Sequence, residues 1–441
     1  MTGTAGILRE ELHLHLYGCL TPADIFALGR DRFRERTAAL EWYADEYLKH
    51  TGTAVDWQTY FHLDGPERIS KDFLADRPMT FPEFQARFNL MIALLPTVTH
   101  AATVLEQVVH GQVRDGLTYA EHRVFVPPVL SRAELASYYR DLAAAAARLN
   151  SMLAGQFAVR LILSVSRNPA VFAEQYTVLK DLQSEKDIRE QITGVDFCGV
   201  EEGFPPELQT DVFRRILSDN RAAPERSLAL LYHVGESFDG MSIFSAMRWV
   251  HAAAAMGAHR LGHATAAAVP PTCLTRFADG CSGSEPRQEA AALLQFISRH
   301  PAARSEPALD EIRTLWQRGL AAPGTGPLTF TWNPTMRQAA AVLQKIVQQD
   351  LRTSSAVIES CPTSNRIIGR IETVSALPAF HFAQADIQLV LSSDDPGIFA
   401  TSLAAEEDLC RRGGMSAKHL SQAAARNQTK RAGLLAGRAH W

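Results

Sequence analysis

The clearest chemistry-bearing residues stand near the start of the chain, in Glu11-Leu12-His13-Leu14-His15-Leu16. Side chains two apart on a β-strand share a face, so His13 and His15 can aim their imidazoles at one point, where a metal ion could sit. With 15 histidines in 441 residues, about 0.5 such pairs arise by chance, so context has to decide. That context comes from His233, His263 and the pair Asp394-Asp395, each of which ends an apolar run that reads as a strand. His13, His15, His233 and Asp394 offer three imidazoles and a carboxylate, a donor set that suits zinc. Any one of these histidines alone would read as a satisfied core residue; the set does not.

Zinc lowers the pKa of bound water and polarises the group under attack, so hydrolysis is the reaction expected. Such a reaction needs an acid on the leaving side. Glu236, three residues beyond His233, is within reach of that role, and His263 is placed to orient or deprotonate the water.

These residues need a scaffold that gathers strand ends. Strands are expected at 11–16, 117–126, 157–165, 192–197, 228–233, 260–263, 356–360 and 387–393, with helical patterns between them. That alternation predicts an α/β fold, a (β/α)₈ TIM barrel, whose catalytic groups sit at the C-terminal ends of the strands. Glu121 and Arg123 on the second strand are expected to be structural, because charges inside a barrel must be paired. Many barrel hydrolases bridge two metals with a carboxylated lysine at the end of the fourth strand. Gly194-Val195-Asp196-Phe197-Cys198-Gly199 contains none, so one zinc per chain is expected.

Two stretches exceed what a barrel connection requires. Residues 20–115 read as a helical excursion after the first strand, with Thr21-Pro22 as a helix start. Residues 264–335 read as an inserted helical subdomain after the sixth strand, with helices at 287–299 and 309–320 and a linker at 322–327. A lid, an oligomer contact and a neutral elaboration are equally open for it. The whole chain, 1–441, is expected to be a single barrel domain.

Composition narrows the class. With 46% hydrophobic and 21% charged residues the chain can bury a large core, unlike a disordered segment. A net charge of −4 leaves no basic field for nucleic acid. Six scattered cysteines without Cys-x-x-Cys spacing read as reduced thiols. No signal-peptide pattern and no long apolar run is present, so a cytoplasmic protein without a membrane partner is expected.

In its motifs the chain resembles the adenosine deaminase family of metal-dependent amidohydrolases. The resemblance rests on Glu-Leu-His-Leu-His-Leu-Tyr-Gly at 11–18, Gly-Val-Asp-Phe-Cys-Gly at 194–199, His-Val-Gly-Glu at 233–236 and Arg-Leu-Gly-His at 260–263. It extends through Glu-Ser-Cys-Pro-Thr-Ser-Asn at 359–365 and Ser-Ser-Asp-Asp-Pro at 392–396. It implies that His13, His15, His233 and Asp394 bind zinc, that Glu236 protonates purine N1, and that His263 positions the attacking hydroxide. Asp395 would bond N7 and the backbone N–H of Gly199 would donate to N3. The implied substrate is a 6-aminopurine nucleoside, adenosine or a modified adenosine, with adenine or an adenine nucleotide as the alternative. A non-purine ring and a non-catalytic assembly role are the remaining readings.

Two departures bear on substrate and backbone. Nucleoside-specific members carry an aspartate for the ribose 5′-hydroxyl where this chain has Tyr17, so Tyr17 faces a different 5′ group, closes the ribose pocket or is only wall. Ala264 replaces a usual glycine, which predicts a different local turn. The remaining eleven of the 15 histidines have no motif support and read as surface or structural.

Overall fold

Eight strands carry the alternation: β1 Arg9–His15, β2 Leu117–Phe125, β3 Ala158–Val165, β4 Ile192–Phe197, β5 Ala229–Val234, β6 Arg260–His263, β9 Val357–Ser360 and β10 Leu389–Leu391. The computed structural model describes residues 9–438 except 63, 275 and 276. The strands pair in parallel in the order β1-β2-β3-β4-β5-β6-β9-β10. A parallel bridge between Leu14 and Asp394 brings the last strand back to the first. There His15 N–H donates to Asp394 O at 3.0 Å and Asp394 N–H to His13 O at 3.1 Å. The chain is therefore a (β/α)₈ barrel, and its closing seam lies at the proposed metal ligands. β4, β5 and β6 are buried along their whole length, as strands covered on both faces must be.

The barrel interior carries a charged lattice. Arg123 on β2 pairs with Asp196 and Glu359, while Arg260 on β6 reaches Glu121 at 2.5 Å and Glu359 at 2.6 Å. All five side chains are fully buried, so each charge is tolerated only because an opposite one meets it.

Between β1 and β2 the chain runs through helices including Pro22–Gly29, Thr37–Thr51, Phe81–Leu94 and Thr97–Arg114. Thr21 accepts from Asp24 N–H and Asp24 bonds back, closing a capping box, and Thr80 does the same with Glu83 ahead of Phe81–Leu94. Phe84 and Phe88 of that helix line the cavity at the C-terminal ends of the strands.

The segment after β6 departs from the purely helical expectation. Helices Arg287–Arg299 and Asp310–Ala321 form, but β7 Ser282–Glu285 and β8 Leu328–Thr331 pair antiparallel beside them. Short serine- and threonine-rich strands of this length carry too little periodicity to be read from sequence. Between β3 and β4 the helical segment divides, into Pro169–Leu182 and Lys186–Gln191. At the break, Gln183 donates to Arg226 O at 2.8 Å, a tertiary contact no local pattern announces. No single helix among the described residues is long and apolar enough to cross a membrane.

Candidate active site

The C-terminal ends of β1, β5, β6 and β10 converge on one point. His13 Nε2 lies 3.1 Å from His233 Nε2 and 3.3 Å from Asp394 Oδ1. His15 Nε2 lies 3.2 Å from His233 Nε2 and 3.4 Å from Asp394 Oδ1. The rings are oriented from behind. His13 Nδ1–H donates to Glu359 at 2.8 Å and His233 Nδ1–H to Asp196 at 3.0 Å, which leaves the Nε2 lone pairs of both rings facing inward. Lone pairs and a carboxylate brought this close repel unless a cation lies among them, so the donor set fits a divalent ion such as zinc.

His263 lies beside the same cluster, its ring 5.0 Å from that of His13 and its Nε2 3.8 Å from Asp394 Oδ2 and 3.6 Å from Glu236 Oε1. Ser360 Oγ donates to Asn365 Oδ1 at 3.3 Å, which turns the Asn365 amide N–H toward His263 Nδ1 at 3.0 Å. Nδ1 thus accepts and Nε2 carries the proton. Of the two roles open in the sequence, orienting an oxygen matches this tautomer and deprotonating it does not.

The backbone is strained at the same residues. His263 (φ 61°), Ala264 (φ 48°) and Asp394 (φ 65°) are in the left-handed region without being glycine, a conformation that costs about 1 kcal/mol or more and clusters at functional sites. Ala264 therefore takes the turn that a glycine would ease.

Electrostatics separate the carboxyls. Burial would raise Asp394, but His263, His13 and His15 outweigh it and hold Asp394 well below the carboxylate range. Glu236 is pushed well above that range by burial, with the charges of Asp394 and Glu201 adding to it. Asp395 is likewise raised by burial and by Asp394 and Glu236. Burial lowers His263 well below its usual value and keeps it neutral. The cluster thus combines an ionised Asp394 with two carboxyls pushed toward the protonated form, in which a carboxyl can donate a hydrogen bond.

A cavity of about 420 Å³ opens over these groups, lined also by Tyr17 and Gly199. At Gly199 (φ +82°) no atom lies within 4 Å of where a Cβ would be, so its backbone is open to a ligand. Tyr17 is buried in the wall. Every candidate residue read from the sequence, His13, His15, Tyr17, Gly199, His233, Glu236, His263, Asp394 and Asp395, lies in or beside this cavity.

Sequence reasoning missed the supports. Glu201, buried, accepts the N–H groups of Gly235 at 2.8 Å and Glu236 at 3.0 Å, pinning the loop that carries Glu236. A Cβ on Gly18 would come within 1.6 Å of Asp395 Oδ1, so only glycine lets Asp395 sit there. Glu359, Asn365 and Gly18 lay inside quoted motifs, and their types were the available signal; Glu201 had none.

A closed parallel barrel thus carries a histidine-carboxylate cluster at its C-terminal mouth. The family model for adenosine deaminase matches residues 63–282 and 341–436. The chain belongs to the adenosine deaminase family and is an aminohydrolase, acting on adenine-type substrates by hydrolytic deamination. Similar solved structures include an adenine deaminase from Arthrobacter aurescens, at 15% identity and TM-score 0.56, over 96% of this chain and 92% of that one. The N6-mAMP deaminase from Arabidopsis matches at 17% identity and TM-score 0.54, over 97% and 93%. A zinc-bound amidohydrolase from Burkholderia ambifaria matches at 14% identity and TM-score 0.52, over 96% and 85%. At these identities the likeness is one of fold. No match was found among curated proteins.

Proposed function

We propose that this chain is a zinc-dependent deaminase of a 6-aminopurine nucleoside, adenosine or a modified adenosine, yielding the 6-oxo purine and ammonia. The observation that carries the reading is the placement of two buried carboxyls, Glu236 and Asp395, and of His263 around one histidine-aspartate cluster. His13, His15, His233 and Asp394 would hold one zinc ion, which when bound supplies activated water. Glu236 donates its proton to N1 and so makes C6 electrophilic. His263 Nε2–H orients the attacking oxygen over C6, and Asp395 donates to N7. Gly199 N–H donates to N3, and Tyr17 walls the end of the cavity where the substituent on N9 lies. Water adds at C6, the C6–N6 bond breaks, and the amino group leaves as ammonia.

A nucleotide substrate is favoured by one observation. Arg167 is buried, lines the cavity, donates Nη2–H to His233 O at 2.8 Å and lies over the Tyr232 ring, while its Nε and Nη1 have no hydrogen-bond partner among the described residues. Against it, that cation acts on the neighbouring carboxylate of Glu201.

The test is ammonia release by the zinc-loaded protein across adenosine, 2′-deoxyadenosine, adenine, AMP and 5′-modified adenosines. Preference for a nucleoside supports the reading, and preference for AMP replaces it with the nucleotide one. Glu236→Gln should keep its zinc and lose about 10²- to 10⁴-fold in kcat; full activity in that variant would remove Glu236 from the mechanism.

A further inference from the structure

On the outer face of the barrel, away from the cavity, two histidines and an aspartate meet from three elements. His251 lies on helix Ile243–Ala255, His300 precedes the short helix Pro301–Arg304, and Asp350 lies on helix Pro334–Thr353. His300 Nε2 is 2.9 Å from Asp350 Oδ2, and His251 Nε2 is 3.4 Å from the same oxygen. One ligand atom from each residue lies within 4.8 Å of the other two, and the separations of 2.9 and 3.4 Å are near the roughly 3.3 Å between ligands of a tetrahedral zinc ion. The imidazoles are held nearly perpendicular, at 86° and 5.7 Å between centroids, and Phe296 packs against both. Side-chain exposures of 24%, 15% and 35% for His251, His300 and Asp350 leave an entry path. Arg248, whose charge acts on His251, is neutralised by Glu207 and Glu289.

We propose that His251, His300 and Asp350 form a second metal site, for a borderline divalent transition ion such as zinc, that ties the inserted segment to the barrel's outer helices. Two imidazoles and one carboxylate are a mixed nitrogen and oxygen set of the kind such ions select, with water completing the shell. Without metal, Ala303 N–H donates to His300 Nδ1 at 3.3 Å, so Nε2 carries the proton and donates to Asp350. On binding, the ion takes the Nε2 position, the ring proton moves to Nδ1 and that long cap bond is given up. The site joins two helices and the turn ahead of a third, so the ion acts as a staple.

The test is to strip the full chain with chelator, titrate it with zinc alone, and count bound zinc in wild type, His251→Gln and Asp350→Asn. Both variants should bind one equivalent fewer than wild type. The difference carries the result, because failure of the cluster at His13 to bind zinc would lower every total alike. Zinc should also raise the melting temperature of wild type about 2 to 5 °C further than that of either variant. Asp350→Asn keeps the side-chain shape, and its zinc-free melting curve verifies folding. Equal zinc counts in wild type and both folded variants would overturn the site.

Discussion

The acid role proposed for Glu236 depends on a residue it touches only through its backbone. Glu201 accepts the N–H groups of Gly235 and Glu236, and its charge helps to keep the Glu236 carboxyl protonated. Glu201→Gln removes one acceptor and the charge together. It should lower kcat about 10-fold or more while zinc content stays at the wild-type level, since no proposed ligand is touched. Steady-state kinetics with metal analysis on the same sample checks this; unchanged kcat would make Glu201 a bystander. At the neighbouring turn, Ala264 bears a positive φ that glycine tolerates without cost. Ala264→Gly should therefore stabilise the protein by about 0.5–1 kcal/mol, read from the urea midpoint.

At the level of elements, β2 and the helix Thr97–Arg114 meet through His122. This side chain is fully buried, with Nε2 3.0 Å from Gln112 Oε1. Burial pushes its pKa down from 6.5 to about 3. In the unfolded chain it protonates near 6.5, so between these values the unfolded state binds the extra proton. The stability contributed by neutral His122 is complete above that window and is lost as pH falls through it, by up to about 1.4 kcal/mol per pH unit. His122→Gln should flatten the acid side of the stability curve, seen by comparing urea midpoints at pH 7 and pH 4.5.

For the whole molecule, the question is how the inserted segment is joined to the barrel. Glu289 on helix Arg287–Arg299 accepts from Arg248 at 2.7 Å and from Trp249 Nε1–H at 2.7 Å, both on helix Ile243–Ala255. All three side chains are buried. Glu289→Ala strands an arginine head group and an indole N–H, and should cost about 2–4 kcal/mol. A thermal melt lowered by several degrees is the expected readout. A melt within 1 °C of wild type, allowing about 2 °C per kcal/mol, would mean that the junction contributes little. Glu289 lies in the segment 283–340, between the two stretches that match the family model, while Arg248 and Trp249 lie in the first of them.

Much of the site was legible in the amino-acid order because its chemistry is written in residue types at strand ends. His13 and His15 share a face by the period of a strand, and His233, His263 and Asp394 each terminate an apolar run. Strand and helix alternation likewise determines a barrel, since parallel strands joined by helices have few ways to bury both faces. Tertiary structure decided what depends on groups distant in sequence. Glu359 meets His13 across 346 positions, and Asn365 sets the tautomer of His263 across 102. Protonation of Glu236 follows from burial and from charges brought in by other loops, which no local pattern contains. The same holds for His251 and His300, read from sequence as surface or structural residues, and for Asp350, which no motif marked. They meet only because three helices pack side by side, and packing is a property of the folded chain.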